Sequence, residues 1–126
     1  MAALMQAAEA IKYKHCNSIR LWKTKCEDEG VRWIAKYLVA IKTVLCLELL
    51  DANMTSGGCE ILGSILHQKY ELNLLVLKLD HNPIGSKGLK ALAKGISSNK
   101  TLSVLTLTYC KIDKDAAESL FEICIY

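Results

Sequence analysis

The sequence predicts a single α/β domain, a right-handed superhelix in which short parallel strands alternate with helices. The chain of 126 residues is 52% hydrophobic and carries a net charge of +3, so it can bury enough apolar surface to offset the entropy lost on folding. A hydrophobic skeleton recurs every 28 to 30 residues. Each recurrence combines a segment of period two with a segment of period 3.6.

The repeat runs through four successive units, predicted at about residues 16–43, 44–73, 74–101 and 102–126. Each skeleton residue of the third unit has an equivalent 28 positions later in the fourth unit and 30 positions earlier in the second. The first unit lies a further 28 positions earlier. The longer second unit has its two additional residues in the polar stretch 67–73, where an insertion costs little. The eight skeleton positions of the third unit are Leu74, Leu77, Leu79, Asn82, Ile84, Gly88, Leu92 and Ile96.

Each unit is predicted to form one strand and then one helix. The alternating Leu-x-Leu segments predict strands at Ile19 to Leu21, Leu47 to Leu49, Leu77 to Leu79 and Leu105 to Leu107. Apolar residues at helical spacing follow each of them, in the last unit from Ala117. Repeated strand and helix require parallel strands joined by right-handed crossovers. Residues 2–13 predict a further helix, so residues 1–15 are interpreted as an amino-terminal cap.

The skeleton L-x-x-L-x-L-x-x-N/C-x-I resembles the leucine-rich repeat family, in its ribonuclease-inhibitor-like class of long repeats. The resemblance covers residues 16–124. It implies a short horseshoe-shaped solenoid with strands on the concave face and helices on the convex face. In the family an Asn or Cys caps the turn after each strand, and Ala52 stands there in the second unit. We therefore expect the second unit to have the loosest turn.

The sequence contains no pattern of residues typical of a catalytic, metal or cofactor site. Repeat alignment places five of the six cysteines in buried columns, and only Cys46 is expected on the concave face. The three histidines have no zinc-ligand spacing, and no phosphate-binding glycine motif is present. Free cysteines without a signal peptide predict a cytoplasmic, reducing location. The longest apolar stretches fall far short of the roughly 20 residues of a membrane span.

The candidate binding surface is the concave face, where side chains alternate with the strand leucines. Arg20, Glu48 and Lys78 form a column that either pairs laterally or contacts a partner. Trp22 and Tyr109, with Leu50, either contact a partner or pack under the flanking turns. The predicted partner-binding residues are Arg20, Trp22, Lys23, Cys46, Glu48, Leu50, Asp51, Lys78, Asp80, His81, Thr106 and Tyr109.

Two aromatic residues of the first helix, Trp33 and Tyr37, are interpreted as packing between helices, because their equivalents lie beside the buried stripe. The carboxy-terminal segment 121–126 lacks a polar closing unit, so we expect a second copy or further repeats to cover that edge.

Charge and fold together favour a protein partner. The net positive charge lies in residues 1–25, a patch too small to favour nucleic acid. The predicted function is a non-enzymatic protein-interaction module or scaffold, without a cofactor and without membrane binding. Two alternatives follow from the resemblance: a GTPase-activating or regulatory fragment of the Ran GTPase-activating-protein type, and a ligand-sensing segment of a larger NOD-like receptor type protein.

Overall fold

The structure, a computed structural model, describes residues 17–118. Strands and helices alternate along this part of the chain. A 3₁₀ helix spans Gln68–Tyr70, and residues 114–118 are again helical. The elements in order are β1 (Ser18–Trp22), α1 (Glu27–Ala40), β2 (Cys46–Leu50), α2 (Ser56–Leu66), β3 (Val76–Lys78), α3 (Gly85–Ile96) and β4 (Val104–Thr106).

The four strands form one parallel sheet in the order β1-β2-β3-β4. Leu47 of β2 pairs with Ile19 of β1 on one side and with Leu77 of β3 on the other, and Leu77 pairs with Leu105. This register places equivalent residues of successive units side by side. The predicted parallel arrangement and the predicted columns are therefore confirmed.

The core lies between the sheet and the helices, because every second strand residue and one stripe of each helix face the same interior. Leu47, Leu49, Leu77 and Leu79 are fully buried there. The equivalent residues of the last described strand are only partly buried. Ala117, which helical spacing predicts to be buried, is exposed, whereas its neighbour Ala116 is buried.

Each strand is followed by a residue in the left-handed backbone region. Lys23 and Asp51 come directly after β1 and β2, and His81 and Tyr109 come three residues after the ends of β3 and β4. In three of these four turns the backbone N–H of that residue donates to a carbonyl of the following unit, at 2.8–3.1 Å. Any residue other than glycine pays about 1–2 kcal/mol to adopt this conformation. The repeated contact between units offsets that cost and directs four side chains toward one rim of the sheet.

The second unit's turn is not the loosest, and this prediction is wrong because Asn82 of the third unit holds it. The Asn82 side-chain oxygen accepts hydrogen bonds from the backbone N–H groups of Ala52 at 2.9 Å and Met54 at 3.1 Å. Its amide nitrogen donates to the Leu49 carbonyl at 2.6 Å and to the Leu79 carbonyl at 2.8 Å. Asn82 is completely buried, so the residue in this column supports the turn of the preceding unit.

Because Ala52 stands where the third unit has Asn82, the turn of the first unit lacks the side-chain hydrogen bonds that Asn82 gives the turn of the second unit. Cys110 follows the rule set by Asn82, because its thiol donates to the Leu79 carbonyl of the unit before, at 3.1 Å. Ala52 accepts a hydrogen bond from the Glu27 N–H through its backbone carbonyl at 2.9 Å, but it has no polar side-chain atom to offer the turn at Thr24. The Thr24 hydroxyl is buried and has no hydrogen-bond partner among the described residues.

Successive helices α2 and α3 pack more closely than α1 and α2. Gly63 and Gly95 meet at the contact, where a Cβ atom on Gly95 would overlap the Gly63 carbonyl oxygen. A Cβ on Gly63 would in turn overlap the carbonyl oxygen of Ala91. The two glycines are required by this close approach of backbones, which overpacking by even one methyl group would separate.

Three predictions concern the ends of the chain. The helix predicted at 2–13 and the uncapped segment 121–126 lie outside the described residues. Trp33 is 40% exposed and Tyr37 is half-buried. Both occupy the side of α1 that corresponds to the α3 side packed on α2, and their predicted packing is not tested within residues 17–118.

Candidate functional site

The strands place the predicted site residues in adjacent columns on one face of the sheet. Arg20, Glu48, Lys78 and Thr106 share one column by strand register. Trp22 pairs with Leu50 at the next outward-facing position. Lys23, Asp51, His81 and Tyr109 follow at the left-handed turns. The structure thus brings the predicted residues onto one continuous surface.

Glu48 lies at the centre of this surface and is buried although it is charged. One carboxylate oxygen accepts a hydrogen bond from Arg20 Nε at 2.8 Å, in a salt bridge. The other accepts from the Trp22 indole N–H at 3.2 Å. The lateral pairing of Arg20 with Glu48 is therefore confirmed. The indole contact joins two neighbouring columns, which the sequence pattern did not reveal.

The surroundings of Glu48 stabilise its ionised form. Burial acts to raise the pKa of the carboxyl, but the hydrogen bonds from Arg20 and Trp22 and the charges of Arg20 and Lys78 lower that pKa more. The net pKa lies below the ordinary value. Glu48 is consequently ionised near neutral pH, where its carboxylate anchors two side chains and is unsuited to proton transfer.

Asp80 has the same role in the neighbouring units. Its two oxygens accept hydrogen bonds from the Thr108 backbone N–H at 2.6 Å and from the Thr106 hydroxyl at 2.8 Å. Burial acts to raise the pKa of Asp80, but these hydrogen bonds from Thr108 and Thr106 lower that pKa more, to a net value below the ordinary one. Glu48 and Asp80 are therefore both engaged within the chain, whereas Asp51 is exposed at the rim of the face.

The other end of the surface carries a second ordered aromatic group. Tyr109 stacks on His81, with ring centroids 4.9 Å apart and an interplanar angle of 26°. Tyr109 remains 77% exposed and Trp22 remains 58% exposed. Of the two roles that the sequence left open for these aromatic residues, packing under the turns is ruled out by this exposure. Leu50 is half-buried, and Lys23 and Asp51 are exposed at the rim.

The cysteines between residues 17 and 118 provide no reactive thiol. Burial raises the pKa of Cys26 to about 11 and that of Cys59 to about 12. Cys46 faces the concave surface as predicted, but burial first and then Glu48 raise its pKa as well. Its thiol donates to Glu48 at 3.7 Å. Within the part of the chain that the structure describes, no three His, Cys, Asp or Glu residues converge as ligands for a metal ion.

The apolar residues of this fold are distributed over short elements. None of the helices between residues 17 and 118 combines the length and the apolar character that crossing a lipid bilayer requires.

Comparison with known proteins identifies the repeat. The family described as Leucine Rich repeat matches residues 72–93 and 98–121. NACHT, LRR and PYD domains-containing protein 7 of Homo sapiens is 30% identical over 127 residues, which cover 96% of this chain and 12% of that protein. The ribonuclease inhibitor of Sus scrofa is 30% identical over 101 residues, 76% of this chain and 21% of the inhibitor.

A solved structure has the same fold. Leiomodin-1 actin-binding site 2 superposes on this chain with a TM-score of 0.82 at 18% sequence identity, and the match covers 94% of this chain and 70% of that one. By contrast, this chain spans only 10% to 21% of the length of the curated relatives that it matches.

Four features agree with these comparisons: the skeleton spacing, the parallel sheet order, the buried asparagine that caps a turn and the helices that back the sheet. The chain belongs to the leucine-rich repeat family, in its ribonuclease-inhibitor-like class.

Proposed function

We propose that the chain is a non-enzymatic interaction module that binds a protein partner through the concave face of its sheet. One observation carries the proposal: Trp22 and Tyr109 are largely exposed on this face, yet Glu48 and His81 hold them in place. Aromatic side chains whose orientation is already set lose little entropy on binding, and Trp and Tyr are the residues most enriched among energetically important interface contacts.

The charges between the two aromatic groups indicate the chemistry of the partner. Hydrogen bonds within the chain engage both oxygens of Glu48 and both oxygens of Asp80. Arg20 keeps a side chain that is 57% exposed, and Lys78 pairs with Glu48 from the other side of the column. The accessible charge at the centre is therefore cationic, which favours a partner that presents carboxylates between apolar contacts.

The test is quantitative affinity capture with a double variant of the exposed aromatic residues. Trp22→Ala with Tyr109→Ala is expected to lower the affinity for the captured partner by at least about tenfold, because such anchors carry much of the binding energy. Far-ultraviolet circular dichroism should show an unchanged fold, since neither side chain enters the core.

The matched control removes one Trp and one Tyr from the helical side of the molecule. Trp33 is exposed on α1, and Tyr70 is half-buried in the 3₁₀ helix. Trp33→Ala with Tyr70→Ala should leave the affinity within about twofold. Loss of binding in this control, with full binding in the concave variant, would place the partner on the other face and overturn the proposal.

A ligand-sensing segment of a larger receptor is the second candidate. It is favoured by the match along 96% of this chain to a protein whose name includes NACHT and PYD domains. Sequencing the transcript on both sides of this coding region distinguishes the two: a NACHT-coding region in the same reading frame supports the receptor, and its absence supports the separate module.

The proposed location is a reducing, cytoplasmic compartment. Cys26, Cys46, Cys59 and Cys110 are free thiols, and proteins that remain in reducing compartments typically keep their cysteines in this form. Fractionation of cells that express the tagged chain would test the location.

A further inference from the structure

A groove of about 600 Å³ lies on the convex side of the molecule, between α2 and α3. Gly63, Ala91 and Gly95 line it where the backbones of the two helices meet. Because these residues carry no side chain larger than a methyl group, nothing long fills the space above them. The 3₁₀ helix contributes Lys69 and Tyr70 to the same groove.

Four lysines line this groove, against a single carboxylate. Lys87, Lys90 and Lys94 follow one another at helical spacing on one side of α3, and Lys69 joins them from the 3₁₀ helix. Glu60 is the acidic residue of the lining. None of the four groove lysines forms a salt bridge within 4.0 Å among residues 17–118, although the charge of Lys90 contributes to lowering the pKa of Asp113.

The neighbouring helix pair shows that the repeat itself does not create this groove. The residues equivalent to Ala91 and Gly95 in the second unit are Ile61 and Ile65, whose branched side chains are much larger, and Ile65 is buried. The residues equivalent to Lys87, Lys90 and Lys94 are Gly57, Glu60 and Ser64. Within residues 17–118, only the α2–α3 pair combines small residues where the helices meet with several lysines beside them.

The size and charge of the groove select one kind of ligand. Its volume falls within the roughly 300–1,000 Å³ typical of small-molecule sites. Lysine ammonium groups are flexible point charges that suit phosphate oxygens approaching from several directions. An extended peptide would need free backbone groups, which helices do not offer. A nucleic acid strand would need a longer basic track with several stacking aromatics.

We propose that this groove binds a compact anion carrying several phosphate groups. Four lysines line the same groove, so an anion with several phosphate groups can accept charge-assisted hydrogen bonds from more than one of them at a time. The site is separate from the concave face, on the opposite side of the sheet, and it is independent of the proposed partner binding.

The experiment is isothermal titration calorimetry of the full chain with inositol hexakisphosphate and with pyrophosphate at physiological salt. We expect one molecule of inositol hexakisphosphate per chain and weaker binding of pyrophosphate. Lys87→Gln with Lys94→Gln should reduce the affinity by at least about tenfold, because two charge-assisted contacts are lost. Nuclear magnetic resonance should show the amide signals of Gly63 and Gly95 shifting on addition of the probe.

Two controls keep the outcome interpretable. Lys25→Gln with Lys42→Gln removes the same charge from exposed residues outside the groove and should leave the affinity within about twofold. The concave variant Trp22→Ala with Tyr109→Ala should bind the probe normally, which separates this inference from the proposed function.

Three results would overturn the proposal. Equal weakening in both lysine variants would mean diffuse attraction to a positive surface. No heat of binding with either probe would mean that the groove is a solvated face. Tighter, groove-dependent binding of a polyglutamate peptide than of inositol hexakisphosphate would assign the groove to an acidic polypeptide instead of a phosphorylated small molecule.

Discussion

At the scale of single residues, the concave face depends on charges that are satisfied within the chain. Glu48 orders an arginine and an indole at the same time, through its two carboxylate oxygens. The carboxylate is buried, so removing its partners would leave an uncompensated charge. The alternating signs in one column predicted the lateral ion pair. The indole contact was not predicted, because Trp22 belongs to the next column.

A pH dependence follows from Glu48. Its pKa in the folded state lies below the ordinary value, whereas the unfolded chain has a glutamate pKa of about 4.3. The stabilising contribution is therefore fully present above that pH and is lost as the pH falls through the folded pKa. In urea titrations between pH 6 and pH 3 (about the carboxylate range), Glu48→Gln should show a weaker decline of unfolding free energy than the wild-type chain. An identical decline in both proteins would contradict the assignment.

At the scale of elements, three of the four turns that follow strands donate a backbone hydrogen bond to the next unit, at Lys23, Asp51 and His81. Asn82 connects the turn of the second unit to the end of β3 through its side-chain amide. On the helical side, Asp28 of α1 accepts hydrogen bonds from both the backbone N–H and the hydroxyl of Thr55, the residue that caps α2. Between the third and fourth units the direction is reversed, because Ser86 of α3 donates to Asp113 of the next unit at 2.8 Å. Neighbouring units are thus joined by polar contacts at both edges of the core.

Asn82→Ala is the sharpest test of this connection. The substitution leaves the buried N–H groups of Ala52 and Met54 without an acceptor, which should lower the free energy of unfolding by about 2–4 kcal/mol in urea denaturation. Asn73→Ala is the control, because Asn73 is exposed and donates one hydrogen bond, to the Lys42 carbonyl. It should cost less than about 1 kcal/mol. Equal costs at the two sites would show that Asn82 does not support the preceding turn.

At the scale of the whole molecule, burial is greatest in the middle of the array. Leu77 is fully buried between two neighbouring units, whereas Leu105 on β4 is partly buried. In a solenoid each unit contacts only its neighbours. Position in the array therefore determines how much each otherwise equivalent leucine contributes.

Truncating these leucines should reproduce that gradient. Leu77→Ala is expected to cost about 3–5 kcal/mol of unfolding free energy, and Leu105→Ala about 1–3 kcal/mol, because a partly exposed site leaves a smaller cavity. Chemical denaturation of the two variants under the same conditions measures the difference. Equal losses would argue against an open array and for a closed core.

The fold was largely predictable because its information is local and periodic. The spacing of the repeats predicts that Ile19, Leu47, Leu77 and Leu105 pair across neighbouring strands, and the structure shows this register. The 3₁₀ helix at Gln68–Tyr70 was not predicted, since the polar stretch around it has no period. The groove lysines were also missed, because counting charge along the chain directed attention to residues 1–25. Their helical spacing at Lys87, Lys90 and Lys94 was the available signal.

The sequence by itself determined the alternation of strands and helices, the parallel order of the sheet and the columns of its concave face, because each depends on spacing within or between repeats. Only the tertiary structure shows which neighbouring unit each of these side chains contacts. Asn82 reaches back to the turn at Ala52, Glu48 joins two columns, and Gly63 meets Gly95 beneath a basic groove. These contacts join residues 26 to 33 positions apart, and their geometry depends on how closely neighbouring units pack in three dimensions.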